Sequence, residues 1–204
     1  DLARLTYDGD VVAIRRDPRQ IMGGVPVTPS PGGFLQAVAD AEKALVEAVR
    51  EVVGDATRIA DLFAGCGAFT FPLAARASVH AVEGDAAALM ALDAAWRAAR
   101  GLSGGLRGVT TEARDLFRRP LLADELRRFD AVVIDPPRAG AAAQTAQIAA
   151  SPIERVAFVS CNPATFARDA RTLVDAGFDL TWVQPIDQFR WSPHVELAAE
   201  FVRG

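Results

Sequence analysis

Between residues 59 and 176, short apolar runs alternate with longer alanine-rich segments, and this alternation limits what the chain can fold into more than any other feature. The strand-like runs are Ile59–Phe63, Val79–Glu83, Val109–Thr111, Ala131–Asp135 and Val156–Ser160. Between and after them lie the helix-like segments Phe71–Arg76, Ala86–Arg100, Leu121–Arg127, Ala141–Ala150 and Ala164–Ala176. Strand, helix and strand in repetition predict parallel pairing through right-handed crossovers, with helices on both faces of the sheet. The expected class is α/β, Rossmann-like. Phe178–Ile186 and Val195–Val202 are joined by too short a link for a crossover helix, so an antiparallel terminal hairpin is expected. With 204 residues, 50% of them hydrophobic, the chain can bury one substantial core.

The front of the chain follows a different pattern. Asp8-Gly9 lies between Leu5-Thr6-Tyr7 and Val11-Val12-Ala13-Ile14, and Gly23-Gly24 precedes Val25-Pro26-Val27; both predict hairpins. Pro29, Pro31, Gly32 and Gly33 then break the pattern as a linker. From Phe34 the spacing of Val38, Ala41, Leu45, Val49 and Val52 predicts a helix that Gly54 ends. The expected organisation is therefore a β-hairpin remnant and linker over 1–33 and a main domain over 34–204. An opening Asp in place of Met suggests a piece of a longer polypeptide.

Composition narrows the function classes. Two cysteines make neither a disulfide framework nor a four-cysteine metal cluster, and no run reaches transmembrane length, so a reducing cytosol is the expected compartment. No metal site and no membrane contact are expected. A net charge of −4 disfavours nucleic-acid binding over the whole surface but leaves room for local patches. Arginines do cluster, at Arg15, Arg16 and Arg19 and at Arg118 and Arg119, but all but one of the 22 basic residues are arginine, which coding bias explains equally well.

The first strand runs into Asp61-Leu62-Phe63-Ala64-Gly65-Cys66-Gly67, a glycine-bearing turn before a helix. Glycines there let a ligand approach the backbone, as in nucleotide sites of doubly wound folds. Glu83 ends the next strand, where a carboxylate accepts hydrogen bonds from ribose hydroxyls, and Asp115 follows the third strand near where adenine would lie. Without a Gly-Lys-Ser/Thr phosphate loop, S-adenosylmethionine fits this pattern better than a pyrophosphate ligand. The bland alternative is a tight turn and a helix cap. Cys66, inside the turn, is expected to be a packing residue.

Three further groups of residues carry chemistry. Asp135-Pro136-Pro137-Arg138 ends the fourth strand, where the prolines stiffen the loop that presents Asp135 and Arg138. Cys161 ends the fifth strand just before a helix, at the edge where open α/β sheets bind ligands and where helix amides favour a thiolate. A buried inert thiol is the alternative there. Pro193-His194-Val195-Glu196 enters the last strand and brings a carboxylate near the others if the hairpin folds back.

Together, Asp135-Pro136-Pro137-Arg138, Ser160-Cys161-Asn162-Pro163-Ala164-Thr165 with Arg168-Asp169, and Pro193-His194-Val195-Glu196 resemble the RNA uracil-5-methyltransferases that act on tRNA and ribosomal RNA. The resemblance covers about residues 26 to 204, and Phe34-Leu35-Gln36 is similar to the family's Phe-x-Gln segment. It implies a class I methyltransferase fold, S-adenosylmethionine as cofactor and RNA as partner. It further implies Cys161 as nucleophile and Glu196 as base, with Gln36, Asp61, Phe63, Gly65, Gly67, Glu83, Asp115 and Asp135 around the cofactor. Phe34, Arg138 and His194 would meet the substrate, and Asp135 and Gln36 either recognise the uracil edge or position the cofactor. The target base should flip out of its stack, with Phe34, Phe189 or Trp191 as stacking partners. Full members of the family carry an N-terminal RNA-binding barrel or a substantial central domain, and some a four-cysteine iron–sulfur site, where this sequence shows a short remnant before the expected catalytic part. It also has Phe189-Arg190-Trp191-Ser192 where Phe-Pro and Thr are usual, a difference that bears on substrate fit.

Two other readings share these residues. An amino-group methyltransferase of nucleic acid also uses an acidic-Pro-Pro loop and needs no cysteine. A catalytically silent cofactor- or RNA-binding module needs neither Cys161 nor Glu196.

Overall fold

The computed structural model describes residues 2–8, 10–100, 106–188, 191–192 and 194–204. The expected front hairpins form: β1 (Arg4–Tyr7) pairs antiparallel with β2 (Asp10–Ile14), and β3 (Gln20–Met22) with β4 (Val25–Val27). Gly9, at the first turn, lies outside the described residues. The two hairpins differ in burial. The β1–β2 ribbon is exposed from Leu5 onward, whereas Met22, Val25 and Val27 are buried in the same apolar cluster as Leu45, Val49 and Ile59. The second hairpin is thus packed into the main core, and the first is tied to it through Arg4, whose guanidinium donates to the Pro29 and Ser30 carbonyls at 2.8 and 3.2 Å.

Helix α1 (Ala39–Val53) buries Ala41, Leu45, Val49 and Val52 as the spacing predicts, together with Ala48, whereas Val38 precedes the helix and is exposed; Gly54 ends the helix at φ 54°. It starts at Ala39 and not at Phe34. Val38 is extended at φ −136°, and the segment before it is held by a hydrogen bond from the Ala37 amide to Gln188, which a helix beginning at Phe34 would compete with.

After α1 the alternation unfolds as read. It gives β5 (Arg58–Leu62), α2 (Thr70–Ala74), β6 (Ser78–Glu83), α3 (Ala86–Ala99), β7 (Val109–Ala113), α4 (Ala123–Leu126) and β8 (Ala131–Ile134). Next come α5 (Ala142–Ala150), β9 (Arg155–Ser160), α6 (Pro163–Asp175), β10 (Asp179–Ile186) and β11 (Glu196–Val202). Seven strands form one sheet in the order β10-β11-β9-β8-β5-β6-β7. The pairs among β5 to β9 are parallel, and β11 runs antiparallel to both β9 and β10. The mostly parallel sheet and its antiparallel end match the expected class.

Residues alternate between two cores, as strands covered on both faces must. In β8, Ala131 and Val133 join the cluster under α1 and α3, and Val132 and Ile134 join the one under α5 and α6. The chain reverses its direction of winding between β5 and β8, which leaves a crevice at the strands' carboxyl ends. Because β11 is antiparallel, its first residue, Glu196, arrives at that same edge. Among the described residues no helix is long and apolar enough to cross a membrane.

Candidate active site

The crevice holds a cavity of about 570 Å³, within the range of small-molecule sites. Five strand ends contribute: Phe63, Gly65 and Cys66 after β5, Glu83 and Asp85 at β6, Asp135 to Arg138 after β8, Cys161 after β9, and His194 and Glu196 at β11. Pro29, Ser30, Gly33, Phe34 and Gln36 close the wall from the front segment. The stretch that its prolines and glycines mark as a linker is therefore part of the site.

One end of the cavity is a backbone cradle. Gly65 sits at φ 55°, and a Cβ placed there would meet no atom within 4 Å, so the turn is open toward the cavity. Glu83 is fixed by two amides: Gly65 N–H donates to Oε2 at 2.8 Å and Asp85 N–H to Oε1 at 2.7 Å. Asp85 in turn caps α3 by accepting from the Ala87 and Ala88 amides. Gly67 serves packing, since a Cβ at its φ of 105° would lie 2.6 Å from the Phe71 ring. Phe63 holds a left-handed conformation at φ 62°, a cost of about 1–2 kcal/mol for a residue with a Cβ. Its ring lies 5.4 Å from that of Phe117.

Asp61 lies beneath the cradle, fully buried, and does not line the cavity. Thr70 Oγ1 donates to its Oδ2 at 2.5 Å, and Oδ1 has no protein partner. Burial foremost, with the nearby Glu83 charge, pushes its carboxyl up to about 7. Asp115 is not in the wall either. It accepts from the Phe117 and Arg118 amides and so caps its own turn, beside Gly84.

The other end is laced together from two loops. Asn162 Nδ2 and Thr165 Oγ1 both donate to the Arg138 carbonyl, at 2.9 and 3.1 Å, and Arg168 donates to the Ala139 carbonyl at 3.1 Å. Buried Asp169 accepts from the Ala141 amide at 2.6 Å and from Arg168 at 2.8 Å. The residues around Cys161 thus set the position of the Asp135-Pro-Pro-Arg loop. Asn162 caps α6 with Pro163 in the first turn.

Cys161 is half-buried at the rim of this end. The thiolate that helix amides are expected to favour is not favoured here: a backbone hydrogen bond at Cys161 does act in that direction but is outweighed, because burial pushes the thiol above its ordinary value and Glu196 and Asp135 push it further. Arg138 opposes them. Burial, then Glu196, Asp61 and Glu83, raise the Asp135 carboxyl to about 8. The ladder pairs Leu197 with Ser160, so the next step along both strands sets Glu196 beside Cys161. Glu196 is 2% exposed; burial raises its carboxyl, and Gln188 and Arg138 act the other way. Arg138 Nη2 lies 3.2 Å from His194 Nδ1, so two of the three expected substrate contacts stand together.

Sequence reasoning missed Asp85 and Gln188. The first was visible as an acid before a run of alanines, an N-cap pattern. Gln188 is buried, and its amide bonds Gln36 at 2.8 Å and the Ala37 amide at 3.1 Å, partners too distant in sequence for any local pattern to reveal. Of the three aromatics, Phe34 lines the cavity and is 72% exposed, Trp191 is fully exposed, and Phe189 lies outside the described residues.

A family model described as tRNA (Uracil-5-)-methyltransferase matches residues 29–202, from the first residue of the cavity wall to the end of β11. The chain belongs to this uracil-5-methyltransferase family. A Caulobacter vibrioides protein named as an uncharacterized RNA methyltransferase is 55% identical over 204 residues, which are 100% of this chain and 48% of the relative. The Vibrio parahaemolyticus 23S rRNA (uracil(1939)-C(5))-methyltransferase RlmD is 34% identical over 89% of this chain and 41% of its own length. Among solved structures, the Pyrococcus abyssi tRNA (uracil-54, C5)-methyltransferase in complex with S-adenosyl-L-homocysteine superposes with a TM-score of 0.80. That match covers 95% of this chain and 47% of the other at 26% identity. This member of the uracil-5-methyltransferase family spans about half the length of the curated relatives it matches.

Proposed function

We propose that the chain carries the catalytic machinery of an S-adenosylmethionine-dependent RNA uracil-5-methyltransferase. One observation carries the reading: a thiol and a buried carboxyl, Cys161 and Glu196, stand on adjacent strand ends in one cavity with the Gly65–Glu83 cradle. The residues present fit the cofactor. Glu83 is oriented by backbone amides to receive ribose hydroxyls, Gly65 leaves room for close approach, and the acids of the wall, Glu83, Asp135 and Glu196, favour a cationic ligand. When bound, S-adenosylmethionine supplies a methyl group on a positively charged sulfur.

Uracil C5 is a poor nucleophile until a group adds at C6. Cys161 as thiolate forms the sulfur–carbon bond at C6, and the electron pair of the C5–C6 double bond moves to give an enolate able to accept a methyl group at C5. Glu196 then takes the C5 proton, the double bond returns, and the sulfur–carbon bond breaks to free the thiolate. Arg138, with the Cys161 backbone hydrogen bond, favours the thiolate, and the stiff Asp135-Pro136-Pro137 loop and Gln36 face the uracil edge or the cofactor. Phe34 offers an exposed ring at the cavity mouth for a flipped base.

The test is incubation with S-adenosylmethionine and RNA bearing 5-fluorouridine, whose fluorine cannot leave as a proton. The expected product is a denaturant-stable protein–RNA adduct mapping to Cys161. Full methyl transfer to RNA by Cys161→Ala would overturn the reading and favour amino-group methylation, and cofactor binding without any methyl incorporation would favour a silent module.

A further inference from the structure

Gln188 follows β10, is 6% exposed and does not line the cavity, yet its amide joins three parts of the site. Its Oε1 accepts from the Ala37 backbone N–H at 3.1 Å. A backbone amide can only donate, so this bond decides which end of the Gln188 side chain is oxygen. Nε2, a donor only, therefore faces Gln36 Oε1 at 2.8 Å, and hydrogen bonding from the same amide favours the ionised Glu196 against its burial. The polarity passes one residue further. Because Gln36 gives its oxygen to Gln188, its own Nε2 is the end left to face the cavity that Gln36 lines. Side-chain amides are ordinarily ambiguous between their two orientations, and a chain of bonds anchored on a main-chain donor removes the ambiguity.

We propose that Gln188 is a positioning residue that fixes Gln36 as a hydrogen-bond donor toward the target base. The pocket then selects a pyrimidine with a carbonyl at position 4 and disfavours one with an amino group there, since uracil O4 accepts where the cytosine amino group donates. This rests on the uracil reading above and assigns the origin of its base selectivity.

The test measures binding without turnover. In full-length protein carrying Cys161→Ala and saturated with S-adenosylhomocysteine, the dissociation constants are compared for two adenosine oligonucleotides that differ only in one central uridine or cytidine. Gln188→Glu leaves only acceptors beside Gln36 and inverts its amide, so the uridine-over-cytidine ratio is expected to fall about tenfold. Gln188→Met removes the constraint, and the ratio should fall by a smaller factor. S-adenosylhomocysteine affinity within about twofold of the parent certifies that each variant is folded. A ratio unchanged in either folded variant, or equal weakening of both oligonucleotides, overturns the proposal, the latter because it marks a merely structural role. A Cys161→Ala parent that does not distinguish uridine from cytidine sinks the uracil reading itself.

Discussion

Cys161 is a thiol whose ionisation is held in check by its surroundings. Burial and two neighbouring acids keep the thiol protonated above its ordinary range, and Arg138 is the counterweight. Such a thiol reacts slowly with bulk electrophiles. Removing the guanidinium in Arg138→Ala should raise the thiol further, so the pH midpoint of Cys161 alkylation by iodoacetamide, followed by peptide mass spectrometry, should move upward. A midpoint that stays put or falls would mean that Arg138 does not act on the sulfur. Cys161, Glu196 and Arg138 were legible because each sits in a dense local motif at a strand end. Asp115 shows the limit of that logic: an acid in the right place along the chain spends its side chain on the amides of its own turn.

The elements matter here as holders of loops. Helix α6 positions the loop after β8 through Asn162, Thr165, Arg168 and Asp169, and Gly140 is required where the two meet. At φ 76°, a Cβ on Gly140 would lie 2.6 Å from Asp169 Oδ2 and 3.0 Å from Thr165 Cβ. Asp169→Ala leaves the buried Ala141 amide without its acceptor, which should cost about 1–3 kcal/mol of stability. The denaturation midpoint checks this, and a neutral effect would show that the lacing is ornamental. The periodicity gave the helix a start at Phe34, five residues early. A tertiary hydrogen bond to Gln188 decided that boundary, and no spacing within the segment reports it.

At the scale of the whole molecule, the cavity wall and the core beneath it concentrate carboxyls that are reluctant to ionise. Asp61 and Asp135 are raised to about 7 and about 8, mainly by burial, against ordinary values near 3.8. The folded state therefore keeps protons that the unfolded chain surrenders near pH 4, and folding is most favoured where both states are protonated. Stability of the ligand-free protein should decline as pH rises through about 7 and about 8, so its denaturation midpoint should be lower at about pH 8.5 than at about pH 5.5, and Asp135→Asn should flatten the difference. A midpoint that rises over this interval would contradict the assignment. Glu125 and Asp130, both lowered to about 2, act only in a separate acid range. By itself the sequence determined the sheet, its helices and the strand ends that carry Gly65, Glu83, Asp135, Cys161 and Glu196, because hydrophobic period and turn chemistry act over a few residues. Only the tertiary structure decided that Pro29, Ser30 and Gly33 of the expected linker wall the cavity, that Asp61 lies beneath it, and that Gln188 bonds Gln36, because burial and hydrogen-bond polarity depend on which distant segments meet.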